Sequence, residues 1–180
     1  MSSDLEIQRL TTNYLEIEDR FRISGETRDG QFVGLWLTQR LLVRVLPHVF
    51  KWLDKSANML PASSAGSTTQ ATEMLQGFAQ QEAHQALKKQ PVQKPVVAKA
   101  DKDHSLVRTV DLSANQGKLK ITFHLADGDK AALRLNSRQL RQWLTILNRY
   151  WLAAGWPATI WPQWINGGDT SPENNVEAIH

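Results

Sequence analysis

The sequence predicts an α+β fold: two similar β-β-β-α halves with antiparallel strands, related as a pseudo-two-fold internal repeat, plus a bridging helix. Three observations carry that expectation. Shifting the chain by 98 residues lays Arg20–Leu53 on Lys118–Trp151 without a gap, and eight identical residues coincide in the 34 positions. Each aligned stretch contains an Asp-Gly pair, Asp29-Gly30 or Asp127-Gly128, between two runs of alternating apolar and polar residues. Each then passes directly into a stripe of apolar residues at helical spacing.

The elements follow in order. A first strand is expected near Leu5–Leu10 and its counterpart near Leu106–Leu112. The second strands read Arg20-Phe21-Arg22-Ile23 and Lys118-Leu119-Lys120-Ile121-Thr122-Phe123-His124-Leu125, where period two implies one buried and one wet face. Asp-Gly suits a tight hairpin turn, because glycine accepts positive φ at no steric cost and aspartate accepts it better than most residues. The third strands turn Val33, Leu35 and Leu37, or Ala131, Leu133 and Leu135, inward. Thr38 and Asn136 stand where a side-chain oxygen can accept from the open N–H groups of a first helical turn.

The helical stripes that follow are Leu42, Val45, Leu46, Val49 and Leu53, against Leu140, Trp143, Leu144, Leu147 and Trp151. Pro47 removes a backbone donor, so a kink or restart is expected there. Between the halves, residues 70–89 place Ala71, Met74, Leu75, Phe78, Ala86 and Leu87 at helical spacing, which predicts an amphipathic helix, docked by its Met74–Phe78 face or frayed where no surface receives it. The flanking 57–69 and 90–104 have linker composition. The chain therefore divides into 1–56, a first unit; 57–104, a linker with the helix; 105–165, a second unit with a Trp-rich extension; and 166–180, a disordered tail. Two three-stranded sheets that join, and two that face each other, fit this pattern equally well.

Composition narrows function by exclusion. The 180 residues are 41% hydrophobic and 22% charged, an ordinary globular balance. Absence of cysteine removes disulfides, thiolate nucleophiles and zinc ribbons. The richest apolar stretch, 41–53, is interrupted by Arg44, Pro47, His48 and Lys51 and is too short to span a bilayer. A cytoplasmic location without membrane association is expected. The five histidines are scattered without metal-ligand spacing, and no nucleophile elbow, phosphate loop or dinucleotide fingerprint occurs. No catalytic, metal or cofactor residue is expected. Asp101, Asp103 and His104 are the nearest approach to a cation site.

The candidate partner-binding residues lie on the nominal wet face of the strands. Phe32 and Trp36 occupy positions whose counterparts are Lys130 and Arg134, and exposed aromatics of this kind mark a binding platform unless the chain covers them. Arg20, Arg22, Lys118, Lys120 and Arg134 share that face. The expected function is a non-catalytic protein–protein binding or adaptor protein, with a second copy of the chain among the candidate partners. The alternative is a nucleic-acid-binding module in which those cations track phosphates and the rings stack on bases. The tail Trp156-Pro157-Ala158-Thr159-Ile160-Trp161-Pro162-Gln163-Trp164 is expected to run extended, since proline disfavours the α region for its predecessor, and to plug a groove beside the second helix.

Overall fold

A computed structural model describes residues 4–58, 69–98, 100, 103–167 and 178–179. The elements are β1 (Leu5–Leu15), β2 (Arg20–Thr27), β3 (Phe32–Thr38), α1 (Gln39–Asn58), α2 (Thr69–Lys88), β4 (His104–Asn115), β5 (Lys118–Leu125), β6 (Lys130–Asn136), α3 (Ser137–Ala153) and β7 (Ala178–Ile179). The fold is α+β. The order β-β-β-α occurs twice, in β1–β3 with α1 and in β4–β6 with α3.

Both Asp-Gly pairs lie in hairpin turns closed by matching bonds. The Thr27 N–H donates to Gln31 O at 2.9 Å and the Leu125 N–H to Asp129 O at 2.9 Å. Gly30 and Gly128 have φ of 76° and 98°, the region where a side chain would be strained. The period-two pattern resolves as expected: Phe21, Ile23, Val33, Leu35 and Leu37 are buried, as are Leu119, Ile121, Phe123, Ala131, Leu133 and Leu135.

Pairing is antiparallel within each three-stranded unit and parallel between units, a feature the sequence pattern did not convey. Gly34–Trp36 of β3 run beside His104–Leu106 of β4, and Ala131–Leu133 of β6 beside Leu5–Ile7 of β1. These two seams, each three residue pairs long, join the six strands into one sheet closed on itself, β1-β2-β3-β4-β5-β6-β1. Beyond its seam, among the described residues, 107–115 of β4 pair only with β5. The register shifts at corresponding places in the two units, between Ile7 and Arg9 and between Val107 and Thr109. β4 begins at His104, so the predicted 90–104 linker ends one residue early. Most of the predicted 57–69 linker and 166–180 tail lies outside the described residues, but β7 within that tail pairs with Leu10 and Thr11 of β1.

The helices close the core. Leu42, Leu46, Val49 and Leu53 of α1 and Leu140, Trp143, Leu144, Leu147 and Trp151 of α3 are buried with the inner strand residues. Thr38 Oγ1 accepts from the Leu41 N–H at 3.2 Å. Asn136 and Gln139 form a reciprocal capping box, at 2.9 and 3.0 Å, which satisfies two otherwise open donors of α3. α1 runs through Pro47 as a single helix rather than restarting. Pro47 is on the exposed side, where water can reach the carbonyl left without its N–H partner.

The Trp-rich extension plugs the structure without running extended. Ala158–Ile160 and Gln163–Gly167 are 3-10 turns, and extended backbone survives locally at Trp161, before Pro162. Trp156, Trp161 and Trp164 are buried. Trp156 packs edge-on against Trp151 and Phe21, with centroids 4.8 and 5.4 Å apart, and its Nε1–H donates to Asp19 Oδ1 at 2.9 Å.

Candidate functional site

The seven residues singled out on the wet face do not form one surface. Arg20, Arg22, Phe32 and Trp36 belong to β2–β3, whereas Lys118, Lys120 and Arg134 belong to β5–β6. β4 separates the groups on one side of the closed sheet and β1 on the other. The expectation of a single basic-aromatic face is corrected by closure: strands on one nominal face point to different sides of the molecule once the sheet curls shut.

In the first group, Arg22 lies opposite Trp36 and Ser24 opposite Gly34 in the β2–β3 ladder. His104 fills the space between the aromatics. Its ring is 5.4 Å from Phe32 and 5.4 Å from Trp36, and its Nε2 is 3.3 Å from Ser24 Oγ. Gly34 permits this approach, since a Cβ there would stand 2.5 Å from Asp103 O and 2.7 Å from the imidazole. The platform is therefore filled from within the chain, and Phe32 and Trp36 remain half-buried. His104 and Ser24 are buried, which shuts this Ser–His pair away from a substrate.

The second group is largely neutralised. Lys120 Nζ contacts Asp4 Oδ2 at 2.7 Å, and this contact holds the Asp4 carboxyl below its ordinary range. Arg134 Nε contacts Glu6 Oε1 at 2.9 Å. Lys118 is exposed. Among the described residues, no three His, Asp or Glu side chains are grouped to hold a metal ion. The cavity between α1, α3 and the inner strands, lined by Leu46, Val49, Phe123 and Trp143 among others, measures about 10 Å³, room for no more than a water molecule.

No known protein family, curated protein or solved structure matches this chain.

A surface that the sequence pattern assigned to the interior lies on α2. Gln76, Gln80, Ala83 and Leu87 are its buried residues, while Met74, Leu75 and Phe78 are 60%, 52% and 64% exposed. The Met74–Phe78 face points outward, opposite to the expected docking. Hydrogen bonding decides this orientation. Arg141 of α3, only 3% exposed, donates to the side chain and backbone carbonyls of Gln76 and stacks over Trp164 at 5.2 Å. Gln76 donates to Asp54 Oδ1 at 2.9 Å. Gln80 donates to Arg141 O at 3.1 Å and Thr145 Oγ1 at 2.8 Å, and Gln142 donates to Ala83 O at 3.2 Å. Burial lowers the Arg141 guanidinium to about 10, against the pull of the Asp54 carboxylate, so it stays cationic at neutral pH. A buried cation without these carbonyls would be severely destabilising. The sequence signal for this interface was the spacing of Gln76, Gln80, Ala83 and Leu87, but polar side chains face inward only where partners await them.

Proposed function

We propose that this chain is a non-catalytic protein-binding or adaptor protein that receives its partner on the outer face of α2. The carrying observation is the outward apolar group Met74, Leu75 and Phe78. Three large apolar side chains grouped on one exposed helix face are unfavourable in water, and such patches mark protein contacts. The helix has no easy way to roll and bury them, because Gln76, Gln80 and Arg141 fix its rotation. A phenylalanine flanked by Met and Leu also suits the few apolar anchors that carry most of an interface's energy.

The two β-β-β-α units fit an internal duplication. That reading is supported by the matching turns, the corresponding register shifts and the two parallel seams. A nucleic-acid interface on the strands draws less support, since Lys120 and Arg134 are each matched to a carboxylate and His104 lies between the aromatics.

The test compares wild type with Met74→Ser/Phe78→Ser. Sedimentation reads self-association, and quantitative affinity capture from nuclease-treated native extract reads other partners. The double variant should lose association at least tenfold while its urea melt stays within about 0.5 kcal/mol of wild type, as expected for exposed positions. Unchanged association in the variant would rule out this face.

A further inference from the structure

We propose that the outward face of α1 binds the sugar-phosphate backbone of nucleic acid, without reading its sequence. The site is independent of the α2 face. Along α1, Arg40, Arg44, His48, Lys51 and Lys55 are all exposed, at spacings of four, four, three and four residues. At about 100° per residue they fall within an arc of about 80°, and at about 1.5 Å per residue they form a stripe about 22 Å long. Leu42, Leu46, Val49 and Leu53 occupy the opposite side, in the core. None of the five has an ion-pair partner among the described residues.

The helix carries four Lys and Arg residues against the single carboxylate of Asp54, an excess of three that equals the net charge of the whole chain. Asp54 is turned aside and accepts from Gln76 of α2 at 2.9 Å. The rest of the molecule is close to neutral, and its strand cations Arg9, Lys120 and Arg134 are paired with acids. A second local excess, five lysines against Asp101, lies in 88–102, but on α1 the cations are aligned along one exposed helix face.

A linear array of cations calls for a linear array of anions, and a polynucleotide supplies one in its regularly spaced phosphates. The arc itself holds none of the aromatic or large aliphatic anchors from which protein interfaces draw their energy; the half-buried Leu41 and the exposed Pro47 lie about 20° beyond its two edges. A lipid surface fits less well, because an interfacial helix buries its apolar face in the bilayer and the apolar face of α1 is already committed to the core. No base-reading geometry is implied, since phosphate contacts position a protein without specifying sequence.

The experiment measures fluorescence anisotropy of a labelled mixed-sequence duplex of about 20 base pairs with the full chain, varying salt from about 50 to about 200 mM. Neutralising four phosphates predicts an affinity loss on the order of 100-fold across that range. Arg40→Gln/Arg44→Gln/Lys51→Gln/Lys55→Gln should abolish binding at low salt while leaving the thermal melt unchanged. An unrelated duplex should bind equally well. Arg20→Gln/Arg22→Gln/Lys118→Gln should bind like wild type. The proposal is overturned by absence of binding at low salt, by binding that survives the α1 substitutions, or by loss confined to the strand variant. Binding to vesicles rich in phosphatidylserine but not to the duplex would also overturn it, and would assign the stripe to a membrane surface.

Discussion

The two parallel seams of the closed sheet have the same local topology and opposite chemistry. Between β3 and β4, Gly34 faces His104, and the contact is made by rings: an imidazole wedged between Phe32 and Trp36 over a residue with no side chain. Between β6 and β1, Ala132 faces Glu6, and the outer layer consists of ion pairs, Glu6 with Arg134 and Asp4 with Lys120. The first seam draws on close packing, which tolerates little change in volume. The second rests outside on partly exposed charges, which contribute little and are screened by salt.

The largest contrast is expected at the paired backbone positions. Gly34→Val places a methine carbon where Asp103 O and the His104 ring already lie and should destabilise the fold by about 3 kcal/mol, as overpacking of a fixed backbone does. Ala132→Gly at the other seam should cost only about 1 kcal/mol, through added chain entropy. Urea melts of the two variants make the comparison, and equal responses would mean that the seams are mechanically alike. A smaller effect is expected from Trp36→Ser. Its half-buried ring should contribute about 2 kcal/mol, roughly half the value for full burial, and the loss should not diminish at high salt.

The smallest effects belong to the ionic seam. Arg134 and Glu6 side chains are each 44% exposed, so Arg134→Gln should cost less than about 0.5 kcal/mol, and less still at high salt. Acid provides a second reading. The Asp4 carboxyl is held below its ordinary value of 3.8 by Lys120, and Asp127 is held down by the Ser105 hydroxyl. A depressed folded-state pKa gives stability that is complete above the unfolded value and lost as pH falls through the folded one. Asp4→Asn/Asp127→Asn should therefore flatten the decline in stability between about pH 4 and about pH 2. An acid limb identical to wild type would show that other carboxylates set it.

What the sequence conveyed was local. Asp29-Gly30 and Asp127-Gly128 lie in turns, Thr38 and Asn136 cap helices, and both apolar helix stripes face the core, because each feature follows from bonds or periodicity within a few residues. Closure of the sheet did not follow, since alternation marks which face of a strand is wet but not which distant strand lies beside it. Asp4 and Glu6 neutralise Lys120 and Arg134 across more than a hundred residues, so the supposed basic face looked more open in the sequence than it is. The orientation of α2 escaped for a different reason. Gln76 and Gln80 are buried because Asp54, Arg141 and Thr145 meet them with hydrogen bonds, and an apolar-inside rule has no access to that complementarity.

Closure also bears on how the chain reaches this state. Leu5 pairs with Ala131, 126 residues further along, so the ring of six strands can close on β1 only after β6 exists. Contacts of such separation slow folding, because the entropy of a long loop is lost before the contact rewards it. On the ribosome, a nascent chain that has completed α1 would still hold β1 and β3 with open backbone edges. Until the sixth strand emerges, those edges are the segments most in need of protection from neighbouring chains.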